Sequence, residues 1–383
     1  MLETPLIEES HRQLADRVAR FTREQLRQPG VDKSPAVNES EDDHARELVE
    51  MLAGAGLLEY AVAEHFAARL DVRALCIARE RLSYESGLAD LMFAMQGLGS
   101  FPITLAGSDE IKRRLLPRAR AGRAIAAFAI TERGAGSDVG AITTTARRDG
   151  DTYVLQGEKS FISNAGLADF YTVFAKTDAA LGNKGISAFV VERDAPGFSF
   201  KEKIELIAPH PIGRIAFDEC RIPRSNLLGE EGGGFKIAMT TLDTFRPTVG
   251  AAAAGLAWRA LDEALDYSRK RVQFGKPLAE FQATQMKLAE MATELDAARL
   301  LVYRAAWKKD STEDRITRES AMAKLFATEA TQRIIDAAVQ IHGGAGLVRG
   351  AVVEHLYREI RALRIYEGTT EIQKLVIAAQ LLR

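Results

Sequence analysis

Glu367 stands in RIYEGTTEIQ, residues 364 to 373, between two stretches that both read as helix. A carboxylate at a helix-to-helix corner can point into a cleft and accept a proton there. Upstream, Val352, Leu356, Ile360 and Leu363 recur at helical spacing; downstream, Ile372, Leu375, Val376 and Ala379 form an apolar face. Gly368 removes a side chain and lets backbone approach a ligand. Thr370 and Gln373 have capping-box spacing, which predicts that the last helix starts there. Taken alone, the stretch is better read as a capped turn with a solvated Glu.

Other strings have chemistry-bearing spacing. AFAITERGAGSDVG, residues 127 to 140, is a strand followed by a Gly-rich turn whose N–H groups could cradle phosphate. A Rossmann reading fails, because strands rather than a helix follow. GEKSFISN, residues 157 to 164, offers an aromatic ring and a hydroxyl, although alone it is an ordinary strand with one core aromatic. In LDTFR, residues 242 to 246, Asp243 and Arg246 are either a surface ion pair worth little or a ligand contact. In RVQFGKPLAEFQ, residues 271 to 282, Arg271 suits a phosphate, Phe274 packs, and Gln273 and Gln282 supply amides; a solvated basic turn is the alternative. VQIHGGAGL places Gly343 and Gly344 where a helix would stop.

The elements that must position these residues fall into three segments. Residues 1–124 read as helices, including an almost wholly apolar stretch, LADLMFAMQGLGSFPITLAG, and a helix start at Ser108-Asp109. Residues 125–228 change to period two: AAFAITE, ITTTARR, TYVLQGE, FYTVFAKT, ISAFVVE and RIAFDECRI predict an antiparallel β domain, with Asp149-Gly150 as a hairpin turn. Residues 229–383 return to helix, beginning with one long helix over GGGFKIAMTTLDTFRPTVGAAAAGLAWRALDEALDYSRKR. The fold class is α+β.

Composition narrows the function. With 51 basic and 53 acidic residues among 383, the net charge of −2 gives no electrostatic case for nucleic acid or an anionic membrane surface. Two distant cysteines, Cys76 and Cys220, imply neither a disulfide framework nor a metal cluster. No apolar run is expected to approach the roughly 20 residues of a membrane span. The first residues lack a signal pattern and carry acids early, so a cytoplasmic location is expected.

Together the strings resemble the acyl-CoA dehydrogenase family, in the family's order and over nearly the whole chain. The 364–373 stretch is similar to its C-terminal R-D-x(n)-I-Y-E-G-T-x-x-I-Q signature, with Arg358-Glu359 for the Arg-Asp pair. The resemblance implies an N-terminal helical domain, a middle β domain and a C-terminal four-helix bundle, with FAD between the β domain and the bundle. It makes Glu367 the base that takes the α-proton of an acyl thioester, with flavin N5 taking the β-hydride. Phe128, Ile130, Thr131, Ser137, Phe161 and Ser163 are implied at the flavin, where Phe161 and Ser163 match the family's Trp and Thr. Arg271, Gln273, Phe274, Gln282, Gln340, Gly343 and Gly344 are implied at the dinucleotide, partly across a subunit boundary, with Thr369 and Glu371 further FAD contacts. Ser137, Asp243, Arg246 and Gly368 are the implied thioester contacts.

The chain departs from the pattern at VAEHFAARL, where a Pro-containing Gly-Gly loop is usual, at Arg133, and at IAPHPIGR, where Ala208 replaces an Arg and His210 stands near a Ser. Held between prolines, His210 reads as a structural or rim residue rather than a catalyst. Phe245 occupies the position from which some members take their base, so no second carboxylate competes with Glu367. An electron-transfer flavoprotein is the implied oxidant and a homotetramer or homodimer the implied assembly. A flavin oxidase or monooxygenase on the same fold is the first rival. The second, a non-catalytic binding protein like the family's DNA-associated relatives, calls for a basic surface that the composition does not offer.

Overall fold

The helices are α1 Glu9–Phe21, α2 Glu41–Gly54, α3 Leu58–Ala61, α4 Val72–Glu85, α5 Gly87–Ala106, α6 Asp109–Arg120, α7 Gly234–Lys270, α8 Gln282–Ser311, α9 Thr317–His342, α10 Val352–Leu363 and α11 Thr370–Leu381. The strands are β1 Ala126–Ala129, β2 Thr145–Asp149, β3 Thr152–Ser163, β4 Phe170–Lys176, β5 Ile186–Glu192, β6 Phe198–Lys203, β7 Ile212–Pro223, β8 Leu227–Leu228, β9 Val272–Gln273 and β10 Lys276–Pro277. These come from a computed structural model that describes residues 5–26, 41–63, 69–312 and 314–382. Residues 64–68 of the departing VAEHFAARL string lie outside the described residues.

The chain forms two units. One comprises the described residues of Met1–Ala36, Asp71–Asp90 and Asp243–Arg383; the other those of Val37–Leu70 and Leu91–Leu242. The three-segment division expected from the sequence thus follows the change of periodicity, whereas the compact units recruit α1 and α4 to the C-terminal helices.

In the unit built on strands, β1 to β8 form one sheet in the order β6-β7-β3-β2-β4-β5-β8, with β1 beside β4. The expected all-antiparallel domain is corrected here: β1 and β2 both pair with β4 in parallel, and the remaining pairings are antiparallel. Residue alternation reports which face a side chain takes, not which way the neighbouring strand runs. The strand β6 was not foreseen. It lies at the sheet edge, where the charged FSFKEK is the composition that edge strands use against further pairing.

Helix α5 corrects the expectation that no apolar run approaches a membrane span. Its 20 residues are long and apolar enough by length and composition, although 89% of the most apolar window is buried within the protein. Its Gln96 is satisfied inside: the amide donates to the Ala119 and Ala124 carbonyls, and the oxygen accepts from Ala126 N–H. Ser108 caps α6 as expected, accepting from Ile111 N–H. The long helix α7 carries Pro247 internally. Lacking an N–H, the proline leaves the Asp243 carbonyl one turn earlier without its helical donor. Ser320 of α9 supplies it, through an Oγ–O contact of 3.0 Å.

Candidate functional site

In the strand unit, the Gly-rich turn is organised around Glu132. Its Oε1 accepts from Lys159 Nζ at 2.7 Å and Thr144 N–H at 3.0 Å; its Oε2 accepts from Thr143 N–H at 2.6 Å and Thr143 Oγ at 2.8 Å. Burial pushes this carboxyl up, but the Lys159 ammonium and the hydrogen bonds outweigh it and hold the group at about 2. Lys159 also donates to the Ile130 carbonyl, so both motif strings are tied into one piece.

The pairing of β3 with β7 shifts register between Lys159 and Ile162. At this bulge Phe161 takes a φ of 57° and its ring is turned outward, 54% exposed. A bulge re-aims a side chain in this way, and a positive φ at an aromatic residue is strained. Two residues on, Ser163 Oγ and His210 Nε2 are 2.7 Å apart. Burial pushes the His210 ring down to about 4, against Glu41, so it is neutral at ordinary pH. Phe128 and Ile130 are buried, with the Phe128 ring against Phe174 at 4.9 Å. Thr131 is half-buried and Ser137 exposed. At Gly134 and Gly136 an added Cβ would meet only open space. An outward ring, a fixed hydroxyl and a bare Gly-rich turn fit a flat, phosphate-bearing cofactor.

In the helical unit, the dinucleotide candidates fall on two segments that touch. Tyr267 at the end of α7 stacks on His342 at the end of α9, with ring centroids 4.2 Å apart. Arg271, Gln273, Phe274, Gln282, Gln340, Gly343 and Gly344 are all exposed. Gly343 has a φ of 58°, which favours glycine at the helix C-terminus, and the space beside it is open. Phe274, 95% exposed, is held at a φ of 50° in the β9–β10 hairpin.

The Glu367 corner is built from carbonyls held by cations and amides. Arg246 Nε donates to the Glu367 carbonyl at 3.2 Å, and Lys324 Nζ to the Gly368 carbonyl at 2.8 Å. The Gln373 amide donates to both carbonyls, at 3.2 and 3.0 Å. What crowds Gly368 is this amide, 2.5 Å from where a Cβ would be, at a φ of 96°. The cap is corrected by one residue: Thr369 accepts from Ile372 N–H, while Thr370 opens α11 and donates to Glu329. Gln373 therefore serves the corner rather than a capping box. Glu371 is exposed in the first turn of α11.

Glu367 itself has a φ of 53°, and its Oε2 is buried with no hydrogen-bond partner. Burial raises its proton affinity, and the charges of Arg79, Arg246 and Lys324 work against that, with Asp90 adding to the rise. A buried carboxylate oxygen without a donor is poised to take a proton rather than to anchor structure.

Asp243 and Arg246 are 3% and 6% exposed, so the surface-pair alternative is corrected to a buried one. Asp243 Oδ1 accepts from Arg246, and Oδ2 from Arg315 and Thr317. Its oxygens are occupied; the group it presents outward is Arg315, whose side chain is 64% exposed. Sequence reasoning missed Arg315, Lys324, Arg79 and Asp90. Only Arg315 had a signal, a cation just before the start of a helical stretch, and it lies in no motif.

Three family models match: acyl-CoA dehydrogenase N-terminal domain over residues 8–123, middle domain over 127–220 and C-terminal domain over 232–382. The chain is similar to a 3-(aryl)acrylate reductase of Clostridium sporogenes, 43% identical over 88% of this chain and 90% of that protein. It is similar to the mitochondrial short-chain specific acyl-CoA dehydrogenase of Homo sapiens, 45% identical over 88% of this chain and 82% of that one. Among solved structures, butyryl-CoA dehydrogenase from Megasphaera elsdenii superposes with a TM-score of 0.92 at 34% identity, over 100% of both chains.

Proposed function

Since the chain belongs to the acyl-CoA dehydrogenase family of FAD-dependent oxidoreductases, we propose that Glu367 is the base that removes the α-proton of an acyl thioester. The single observation behind this assignment is the buried, donor-free Oε2 at a corner whose backbone is held on both sides. The α-proton leaves to Oε2, the Cα–H electron pair becomes the new Cα=Cβ bond, and the product is the 2-enoyl thioester. When bound, FAD supplies the acceptor for the β-hydride. Phe161, Ser163, Ser137, Thr131 and the edge at Phe128 and Ile130 would hold the ring. Arg271, Gln273, Phe274, Gln282, Gln340, Gly343, Gly344, Thr369 and Glu371 would hold the rest, in part in a second subunit of a homodimer or homotetramer.

CoA is the thioester carrier this reading favours. Arg246, ordered by Asp243, and the outward Arg315 are the cations offered to its arm. An electron-transfer flavoprotein in the cytoplasm is the oxidant it implies. The test is anaerobic mixing of the FAD-bound protein with a panel of acyl-CoA and acyl-carrier thioesters. Bleaching by at least one member, with 2-enoyl product formed, is expected. Protein that binds no FAD, or that no thioester bleaches, overturns the proposal.

A further inference from the structure

A second buried charge system adjoins the corner, and none of its members lies in a recognised string. Arg79 of α4 is 2% exposed and Asp90 of α5 is 5% exposed. Arg79 Nε and Nη2 donate to the two oxygens of Asp90, each at 2.8 Å, and Nη1 donates to Thr248 Oγ1 at 2.9 Å. The Thr248 hydroxyl in turn donates to the Phe245 carbonyl at 2.7 Å. All three guanidinium nitrogens are therefore engaged, and the head group cannot swing. Its anchor, Thr248, is two residues beyond Arg246, whose Nε holds the Glu367 carbonyl.

A buried ion pair is weak evidence for stability, since apolar residues of similar volume often do as well. Two charges kept among packed helices, and tied through Thr248 to the helix whose Arg246 holds the Glu367 corner, need another reason. We propose that the Arg79–Asp90 pair is a positioning device for the base, a fixed dipole that sets the pH at which the Glu367 carboxylate accepts its proton. The inference rests on Glu367 being the base.

Among the charges acting on Glu367, Arg79 is the largest that favours ionisation, ahead of Arg246 and Lys324; Asp90 opposes it. Burial pushes the Tyr366 hydroxyl, on the same corner, up; the Arg79 charge works against that, and the charges of Asp90, Glu367 and Glu359 add to it. Glu359 of α10 acts on Asp90 and is paired with His355 at 3.2 Å. It is packed onto the start of α5, where a Cβ at Gly87 would meet its carboxylate at 2.3 Å. Arg315 acts on Arg246, and Glu329 and Arg364 act on Lys324. None of these others touches the Arg79–Asp90 contact, so the pair can be altered by itself.

The two members predict opposite signs. Asp90→Asn removes a negative charge and leaves the hydrogen-bonded shape, so Glu367 ionises more readily. The midpoint of the pH profile for flavin reduction should fall by about one unit. Arg79→Gln removes the positive charge and should raise that midpoint by about as much, while Arg79→Lys, which keeps the charge, should return it towards wild type. The same midpoints should appear without turnover, in the infrared carboxyl band of the FAD-bound protein that disappears in Glu367→Gln.

Midpoints that stay put, or that move in one direction for both Asp90→Asn and Arg79→Gln, overturn the proposal: a merely structural pair loses stability either way without a signed shift. If one variant does not fold, the other against Arg79→Lys carries the sign. If Glu367→Gln keeps the wild-type rate, it is the base assignment that fails, and the carboxyl titration still judges the pair.

Discussion

Two glutamates, buried Glu132 and half-buried Glu367 with its buried Oε2, one in each unit, receive opposite treatment. Glu132 is surrounded by four donors, including the fully buried Lys159 ammonium, and burial loses to them. Glu367 has three cations in its field, yet two of them, Arg246 and Lys324, aim hydrogen bonds at carbonyls of the corner. Its Oε2 receives none, and burial prevails. Burial is a property of the site, whereas proton affinity depends on where the donors point. A satisfied carboxylate makes a scaffold; a carboxylate with a buried oxygen denied its donors holds its proton more readily.

The contrast is broken most directly by Glu367→Gln, which keeps shape and removes basicity. Flavin reduction by a competent thioester should fall by about 10²- to 10⁴-fold, with FAD binding and melting temperature nearly unchanged. Stopped-flow traces and a thermal scan check this; reduction at close to the wild-type rate would sink it.

Next in size, Lys159→Met leaves the Glu132 charge buried and unpaired, which costs about 3–5 kcal/mol of stability by denaturant unfolding. Activity should be lost only as the protein unfolds. The same carboxylate gives a pH signature. Its folded value, about 2, lies below its ordinary 4.5. Its contribution is therefore complete above about 4.5 and is lost as pH falls through about 2. Glu132→Gln should flatten the stability profile across that acid window; an unchanged slope there would reassign the acid sensitivity to other groups. Glu367 has the opposite sign: activity should climb as pH rises through a midpoint above the usual carboxylate range.

A smaller loss is expected from Arg271→Ala, with FAD held about 10- to 100-fold more weakly, the weight of a charge-assisted contact. Equilibrium dialysis of the flavin measures it, and unaltered affinity would return Arg271 to a solvated turn. The smallest effect is that of His210→Ala, which frees the Ser163 hydroxyl. A shift of about fivefold in FAD affinity is expected, from one neutral hydrogen bond, against none if the ring is only rim packing.

The Glu367 corner was legible because its string is long and contiguous, and its neighbours Gly368 and Gln373 travel with it. The tuning groups were not. Arg79 meets Asp90 and Thr248 only through tertiary packing, and Asp90 sits in a stretch that reads as plain apolar core. The strand unit was legible where β-branched and aromatic residues run together, as in β4 and β5, which are buried along nearly their whole length. It was illegible at β6, whose charges mask its pairing, and in the parallel contacts of β1 and β2. The one-residue displacement of the last cap arose because Thr369 and Thr370 are chemically equivalent; only the position of Glu329, which claims the second hydroxyl, separates them.

The missing hydrogen at Pro247 acts as a locating pin. The carbonyl it releases on α7 is met by one hydroxyl on α9, Ser320, and Lys324 follows one turn later on that helix with its ammonium on Gly368. Sliding α9 by a turn, about 5.4 Å, would separate both contacts at once. Pro247→Ala would return the carbonyl to its own helix and let the two slip more freely. The seating of the Glu367 corner thus depends on a residue that has no hydrogen to offer its own helix.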